Sequence, residues 1–434
     1  MGELNTNKNY KLNLFIKLLL FLNFILSLYL IYKVNFFINS VYLHHYEIYF
    51  VLNLLIYFFF IYLLKINIEK KKNYLTLFIS FVISLYLIEI VLRSLNIVEY
   101  RSKFEIYKIL EKQVGDITVA IPPNVYIQKT QGDLIPLSGI SNQRTLMCNE
   151  NNYWAEFNSD RYGFNNIDNN WNERIENVLI GDSFGYGACV NQNENISYYL
   201  KERFEMNTIN LSYEGNGPLL EYATYLEYTK NINFNNLIWL YFEGNDLKDL
   251  KKEIENPSLN RYLKKKKFSQ NLINIDDYKN QQLYNFLSNE KKILEIDNKK
   301  YKFFFGFLKL NSLRYLTKIH KFNFGKNQKI VCHIDSLQPF FQIIKNVNID
   351  LKMKNKKMLF VYLPGKESFI YKNNENKCKK EIVKFLNHNK IHYIDLIELK
   401  NINDFDILKN FPAHLNKNAY EKVSEQIFKK LNQS

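Results

Sequence analysis

Val178-Leu179-Ile180-Gly181-Asp182-Ser183 is an apolar run that ends on a glycine and opens onto a serine. The run reads as a short buried strand, and Gly-Asp-Ser as the turn that carries the chain into a helix. Gly185 and Gly187 follow, and small residues there let the backbone turn sharply with its N–H groups outward. Similar apolar runs recur at Thr208–Leu211, Leu237–Phe242, Met358–Leu363 and Ile391–Ile394. Between and after them, Ile196, Tyr199, Leu200 and Phe204, and again Tyr420, Val423, Ile427 and Leu431, fall on single helical faces. Near-continuous apolar strands alternating with helices predict an α/β fold, a parallel sheet covered on both faces. Ligands of such sheets bind at the carboxyl ends of the strands. Ser183, Gly215, Asn245 and His414 would gather at that edge.

Upstream, Leu14–Tyr32, Ile48–Leu64 and Tyr74–Leu92 each approach the ~20 apolar residues that span a bilayer. No short apolar run with a small-residue cleavage site marks a signal peptide. Lys17 and Asn23 interrupt the first stretch, and Glu89 with Arg93 forms an (i, i+4) pair at the end of the third. Lys8, Lys11, Lys17, Lys65, Lys70, Lys71 and Lys72 flank one side of these spans against Lys33 on the other. The lysine asymmetry predicts a cytoplasmic N-terminus, with everything beyond about Arg93 outside. Residues 1–93 are therefore expected to be a three-helix anchor, 94–170 a connector, and 171–434 the α/β domain. A mainly helical insertion at about 250–350 is expected to roof or flank the site.

A formal charge of +15 invites a nucleic-acid reading. The lysines are spread along the chain, and only Lys264–Lys267 forms a run, so no nucleic-acid partner is expected. Cys148, Cys189, Cys332 and Cys378 all fall in the exported part. An even count there suits an oxidising compartment, and the spacing is not that of a metal site. Cys148 with Cys189 and Cys332 with Cys378 is the favoured pairing; four buried free thiols is the alternative. No metal, nucleotide or flavin motif appears, so no cofactor is expected.

The chemistry rests on four short elements. Ser183 would be a nucleophile, which needs a base and a pocket for the oxyanion. Asn210-Leu211-Ser212-Tyr213-Glu214-Gly215 follows the second strand, with Gly217 two residues further on, and by themselves these glycines can serve the loop's backbone geometry. Glu243-Gly244-Asn245-Asp246 ends the third strand, where Asn245 can aim an amide N–H, although an Asn-Asp pair there also serves as a helix cap. Among the seven histidines, His414 alone stands just before a C-terminal amphipathic helix. In this order the elements resemble the SGNH (GDSL-like) hydrolase family. The resemblance covers about residues 176–434 apart from the insertion, and does not reach the membrane segments.

That resemblance implies a flavodoxin-like three-layer sheet, catalysis by Ser183 and His414, and an oxyanion hole from Ser183, Gly215 (with Gly217 as second choice) and Asn245. Two departures stand out. Glu243 takes the place of the family's usual glycine, and Phe411 and Pro412 occupy the positions where its aspartate precedes the histidine. Asp404 or Asp406 could supply the carboxylate, or a backbone carbonyl could hold the ring and leave a Ser-His dyad, and the dyad is preferred. The implied activity is a membrane-anchored serine esterase acting on O-acyl groups of cell-envelope carbohydrate or lipid. The alternatives are an O-acyltransferase for extracytoplasmic polysaccharide, or a non-catalytic binding module. The expected place is a bacterial inner membrane with the catalytic domain periplasmic. Further candidate partners are other membrane proteins of envelope biosynthesis.

Overall fold

The computed structural model describes residues 2–37, 46–95, 103–130, 132–150, 153–265, 268–296, 299–317, 319, 332–365, 368, 377–398 and 414–433. Its first three helices are α1 (Gly2–Phe37), α2 (Glu47–Lys65) and α3 (Ile68–Ser94). Their apolar spans of 26, 19 and 27 residues are each long and apolar enough to cross a membrane. The buried asparagines inside them are paired. Asn53 Nδ2 donates to Asn23 Oδ1 at 2.8 Å, and Ser27 Oγ to Asn53 Oδ1 at 2.6 Å. Asn23 thus links α1 to α2, as side-chain amides do between helices that lack water.

The remaining elements in chain order are α4 (Lys103–Val114), β1 (Ile117–Val119), α5 (Pro123–Lys129), β2 (Arg144–Leu146), β3 (Glu156–Asn158), β4 (Asn177–Gly181), α6 (Ser183–Tyr186), α7 (Ile196–Phe204), β5 (Thr208–Asn210), α8 (Pro218–Tyr228) and β6 (Asn236–Phe242). Then follow α9 (Asp246–Glu255), α10 (Arg261–Lys264), α11 (Asp276–Ile296), α12 (Lys299–Leu308), α13 (Asn311–Leu316), α14 (Leu337–Met353), β7 (Lys357–Leu363), α15 (Lys377–His388), β8 (His392–Asp395) and α16 (Lys417–Asn432).

The five strands expected from the apolar runs form one parallel sheet in the order β5-β4-β6-β7-β8. Counted from β4, that is 2-1-3-4-5, the flavodoxin-like order. Strand alternation explains the three layers. Val178, Ile180, Trp239, Tyr241, Phe360 and Tyr362 face a core shared with α8, α14 and α15. Leu179, Ile238, Leu240, Leu359 and Val361 face the opposite core, with α7 and α16. Because both faces are covered, every residue of β4 is buried, which is why it reads as an unbroken apolar run.

Two boundaries differ from the sequence reading. The stretch 94–170, expected as a connector, folds with the α/β unit from Ser102 onward. There β1, β2 and β3 make a second small sheet, β1–β2 parallel and β2–β3 antiparallel. Met147, Ala155 and Phe157 from it enter the main core. The helical stretch at 250–350 is also divided. Asp297–Gln328 belongs to the compact unit of Met1–Arg101, whereas α14 is an ordinary covering helix of the sheet.

Between α9 and α11 the chain is anchored by one carboxylate. Glu227 accepts from Tyr262 Oη at 2.6 Å, Ser269 Oγ at 2.9 Å, and the N–H groups of Gln270 and Leu272. Replacing it with alanine leaves buried donors unmet, each costing about 1–3 kcal/mol. The Glu227→Ala variant is therefore expected to melt several degrees lower and to be cleaved first within residues 259–275 in limited proteolysis.

Candidate active site

β4 delivers Ser183 to the carboxyl edge of the sheet, between its neighbours β5 and β6. Asp182 caps α6: its Oδ1 accepts the Phe184 N–H at 2.9 Å. Burial pushes the Asp182 carboxyl up to about 6, although the Phe184 N–H and the charge of His414 pull the other way. Gly185 is required by close approach, since a Cβ there would lie 2.3 Å from Ser212 Oγ. That contact brings the loop after β5 against the serine-bearing turn.

His414 Nε2 lies 3.0 Å from Ser183 Oγ. The imidazole sits one residue ahead of Leu415, which is buried, and two ahead of Asn416, which caps α16 by accepting the Ala419 N–H at 3.0 Å. The cap sets where the helix begins and so where the ring stands. Its other nitrogen, Nδ1, is 3.1 Å from Glu150 Oε1, and the His414 main-chain N–H donates to Glu150 Oε2 at 2.9 Å. One carboxylate therefore holds both the ring and the backbone of the histidine.

Glu150 corrects the expectation of a Ser-His dyad without a carboxylate at the ring. Asp404 and Asp406 lie outside the described residues, and the carboxylate at the ring comes instead from the β2–β3 hairpin. The hairpin is closed by Met147 N–H to Ala155 O at 2.8 Å and Ala155 N–H to Cys148 O at 2.9 Å. Cys148, two residues before Glu150, is disulfide-bonded to Cys189, with Cα atoms 4.9 Å apart. Cys189 Sγ lies 3.8 Å from His414 Nδ1. The disulfide thus ties the acid-bearing loop to the loop that follows the serine. Cys332 and Cys378 form the second bridge, Cα atoms 5.4 Å apart. Glu150, Cys189 and His414 also meet the distances of a metal cluster, but the Cys189 sulfur is committed to its disulfide and is not a free thiolate.

The electrostatics follow from these contacts. Burial alone would lower the His414 pKa; the hydrogen bond and charge of Glu150, then the charges of Asp182 and Glu214, reverse it, and the net direction is upward. Lys103 Nζ pairs with Glu214 at 2.8 Å, tying α4 to the loop after β5.

The expected oxyanion donors stand just past three adjacent strands. Gly215 follows β5 with φ +78, a left-handed conformation that suits glycine, and a Cβ there would meet Asn124 Oδ1 at 2.6 Å. Its N–H and that of Ser183 have no hydrogen-bond partner among the described residues. Gly217, the second choice, is engaged: its N–H donates to Glu253 Oε1 at 2.6 Å. Burial raises that carboxyl to about 8. Asn245 follows β6 in a turn that Asp246 closes by accepting the Phe242 N–H at 2.9 Å. The Asn245 amide donates to Asp249 Oδ2 at 3.1 Å, and it also helps hold down the Asp182 carboxyl, so it stands beside the serine-bearing turn. Glu243, where a glycine was expected, accepts from Tyr362 Oη at 2.8 Å and the Gly365 N–H at 2.7 Å. It fastens the ends of β6 and β7 together.

No family model matches the chain, and no curated protein matches it. Among solved structures, a protein from Desulfitobacterium hafniense DCB-2 assigned to the lipolytic G-D-S-L family is similar at 12% identity and a TM-score of 0.31. The alignment covers 59% of this chain and 99% of that one. The fold stands on the sheet order of this chain itself.

Two outcomes test this geometry, both read on the full chain in detergent or nanodiscs with an activated ester. Glu150→Gln keeps the shape but loses the charge, and is expected to lower the turnover number roughly 10²–10⁴-fold. A raised His414 pKa means that the neutral base appears at higher pH than it would for an unperturbed histidine. Removing the charge lowers that pKa, so the acid limb of the pH–rate profile should move to lower pH in Glu150→Gln. Secondly, the two disulfides close loops of 41 and 46 residues, so serine pairs at either should cost a similar ~4 kcal/mol in the chain-entropy model. Only the Cys148/Cys189 pair should also depress turnover at a temperature where both variants remain folded.

Proposed function

We propose that the chain is a membrane-anchored serine esterase that removes O-acyl groups from cell-envelope carbohydrate or lipid. The observation that carries this reading is the run of contacts from Ser183 Oγ to His414 Nε2 at 3.0 Å and from His414 Nδ1 to Glu150 at 3.1 Å. In this reading Ser183 Oγ attacks the ester carbonyl while its proton passes to His414 Nε2. The charge that develops on the carbonyl oxygen is received by the N–H groups of Ser183 and Gly215 and by the Asn245 amide. His414 then returns the proton to the departing alcohol, leaving an acyl group on Ser183. A water molecule, deprotonated by the same imidazole, attacks the acyl-enzyme and releases the acid. Glu150 holds the ring in the required tautomer and stabilises the imidazolium.

A binding module without turnover gains nothing from a carboxylate aligned on the histidine. The reading of the α/β unit as extracytoplasmic is supported by the lysine asymmetry of the spans and by two disulfides in that unit. The envelope substrate is inferred from that location.

The test is a p-nitrophenyl acetate assay together with fluorophosphonate labelling of the full chain. Ser183→Ala should lose the adduct and drop hydrolysis by roughly 10³-fold or more. Unchanged hydrolysis in that variant, or a folded native protein that takes no label, refutes the proposal. With a polysaccharide acceptor present, acylated product in place of free acid would assign transfer rather than hydrolysis.

A further inference from the structure

Helices α12 and α13 carry their polarity the wrong way round for a water-exposed insertion. Their hydrogen-bonding groups face the helices of their own compact unit. Glu89, fully buried near the end of α3, accepts the N–H groups of Ser312 and Leu313 at 3.1 and 2.9 Å, and also Arg93 Nε at 2.7 Å. Tyr86 Oη donates to the Leu308 carbonyl at 3.1 Å. The Arg93 guanidinium lies 5.7 Å from the Phe307 ring centre. Arg314 Nε donates to Tyr49 Oη at 2.8 Å, near the start of α2. Glu89 is thus not paired with Arg93 alone: it also holds the first turn of α13.

The outward faces are apolar. Phe304, Phe305 and Leu308 on α12, and Tyr315 and Leu316 on α13, are all exposed. A soluble domain buries such residues and turns its polar face to water. The reversed arrangement suits a face bathed in lipid.

We propose that α12 and α13 form a membrane-interface element whose exposed aromatic and leucine side chains lie at the headgroup–acyl boundary of the bilayer. The bilayer is the occupant because the patch continues a lipid-facing surface. Ile83, Leu87, Ile90 and Val91 on the adjoining stretch of α3 are exposed in the same compact unit. The depth fits as well. Tyr86, Glu89 and Arg93 occupy the final turns of α3, within about 12 Å of its end at 1.5 Å per residue. Amphipathic helices in the interface bury their apolar face about 5–10 Å into the boundary. Lys309 and Arg314 flank the apolar residues, and aromatic and cationic side chains together are what interfacial anchors use. The proposal rests on reading α1–α3 as membrane spans, and is independent of the ester chemistry.

The test places tryptophan in the full chain, reconstituted in phosphatidylcholine vesicles, one site at a time: Phe305→Trp on α12, Leu316→Trp on α13 and Phe81→Trp in the middle of α3. The native Trp154, Trp171 and Trp239 all belong to the α/β unit, so emission is read as the difference from the parent protein. Quenchers are lipids spin-labelled near the headgroup or near the end of the acyl chain, and iodide in the water. Phe305→Trp and Leu316→Trp should be quenched roughly twofold or more strongly by the shallow label than by the deep one, and little by iodide. Phe81→Trp should respond most to the deep label. Strong iodide quenching without lipid quenching at both Phe305→Trp and Leu316→Trp overturns the proposal by placing the face in water. Protection from all quenchers at both overturns it too, by showing that protein covers the face. If Phe81→Trp is untouched by either lipid, the membrane reading of α3 fails, and the proposal with it.

Discussion

Two donors of one residue, the ring Nδ1 and the main-chain N–H of His414, converge on the carboxylate of Glu150. Holding the backbone as well as the ring removes the freedom by which the histidine could swing away from the serine. The Glu150 carboxylate beside Nδ1 selects the tautomer in which Nδ1 carries the proton and Nε2 the free lone pair, the form able to take a proton from Ser183. Everything else at the edge of the sheet is arranged around that grip. The cap of α16 sets the histidine, the end of β4 sets the serine, and a disulfide binds the acid-bearing hairpin to the loop beyond the serine.

The α/β framework was legible because burial leaves a direct trace. A strand covered on both faces must be apolar at successive positions, and β4, β6 and β7 are so written. The turn residues that leave those strands were legible for a similar reason. Only certain residues suit a sharp strand-to-helix turn, and Gly181-Asp182-Ser183 and Gly244-Asn245-Asp246 stand where those turns fall. The favoured pairing, Cys148 with Cys189 and Cys332 with Cys378, is the one the structure has.

Glu150 was not legible, for a physical reason. It is 264 positions from His414, in a polar loop with no periodicity, and nothing in the local pattern distinguishes it from an exposed carboxylate. The signal available was indirect: a cysteine two residues away, bridged to the cysteine six residues past the serine. The same limit hid the division of the helical stretch after β6. Helical pattern tells that α12 and α13 form, but the partner is chosen by Glu89, a buried charge on α3 that local sequence reads as one half of an ion pair.

The account turns on the state of one imidazole, and a proton and nitrogen NMR spectrum of the full chain, isotope-labelled at histidine, observes it directly. For neutral His414 the prediction is a protonated Nδ1 with a far-downfield proton, an unprotonated Nε2, and disappearance of that downfield signal when Glu150 is replaced by glutamine. A neutral His414 that carries its proton on Nε2, or a downfield proton that survives the replacement, contradicts it.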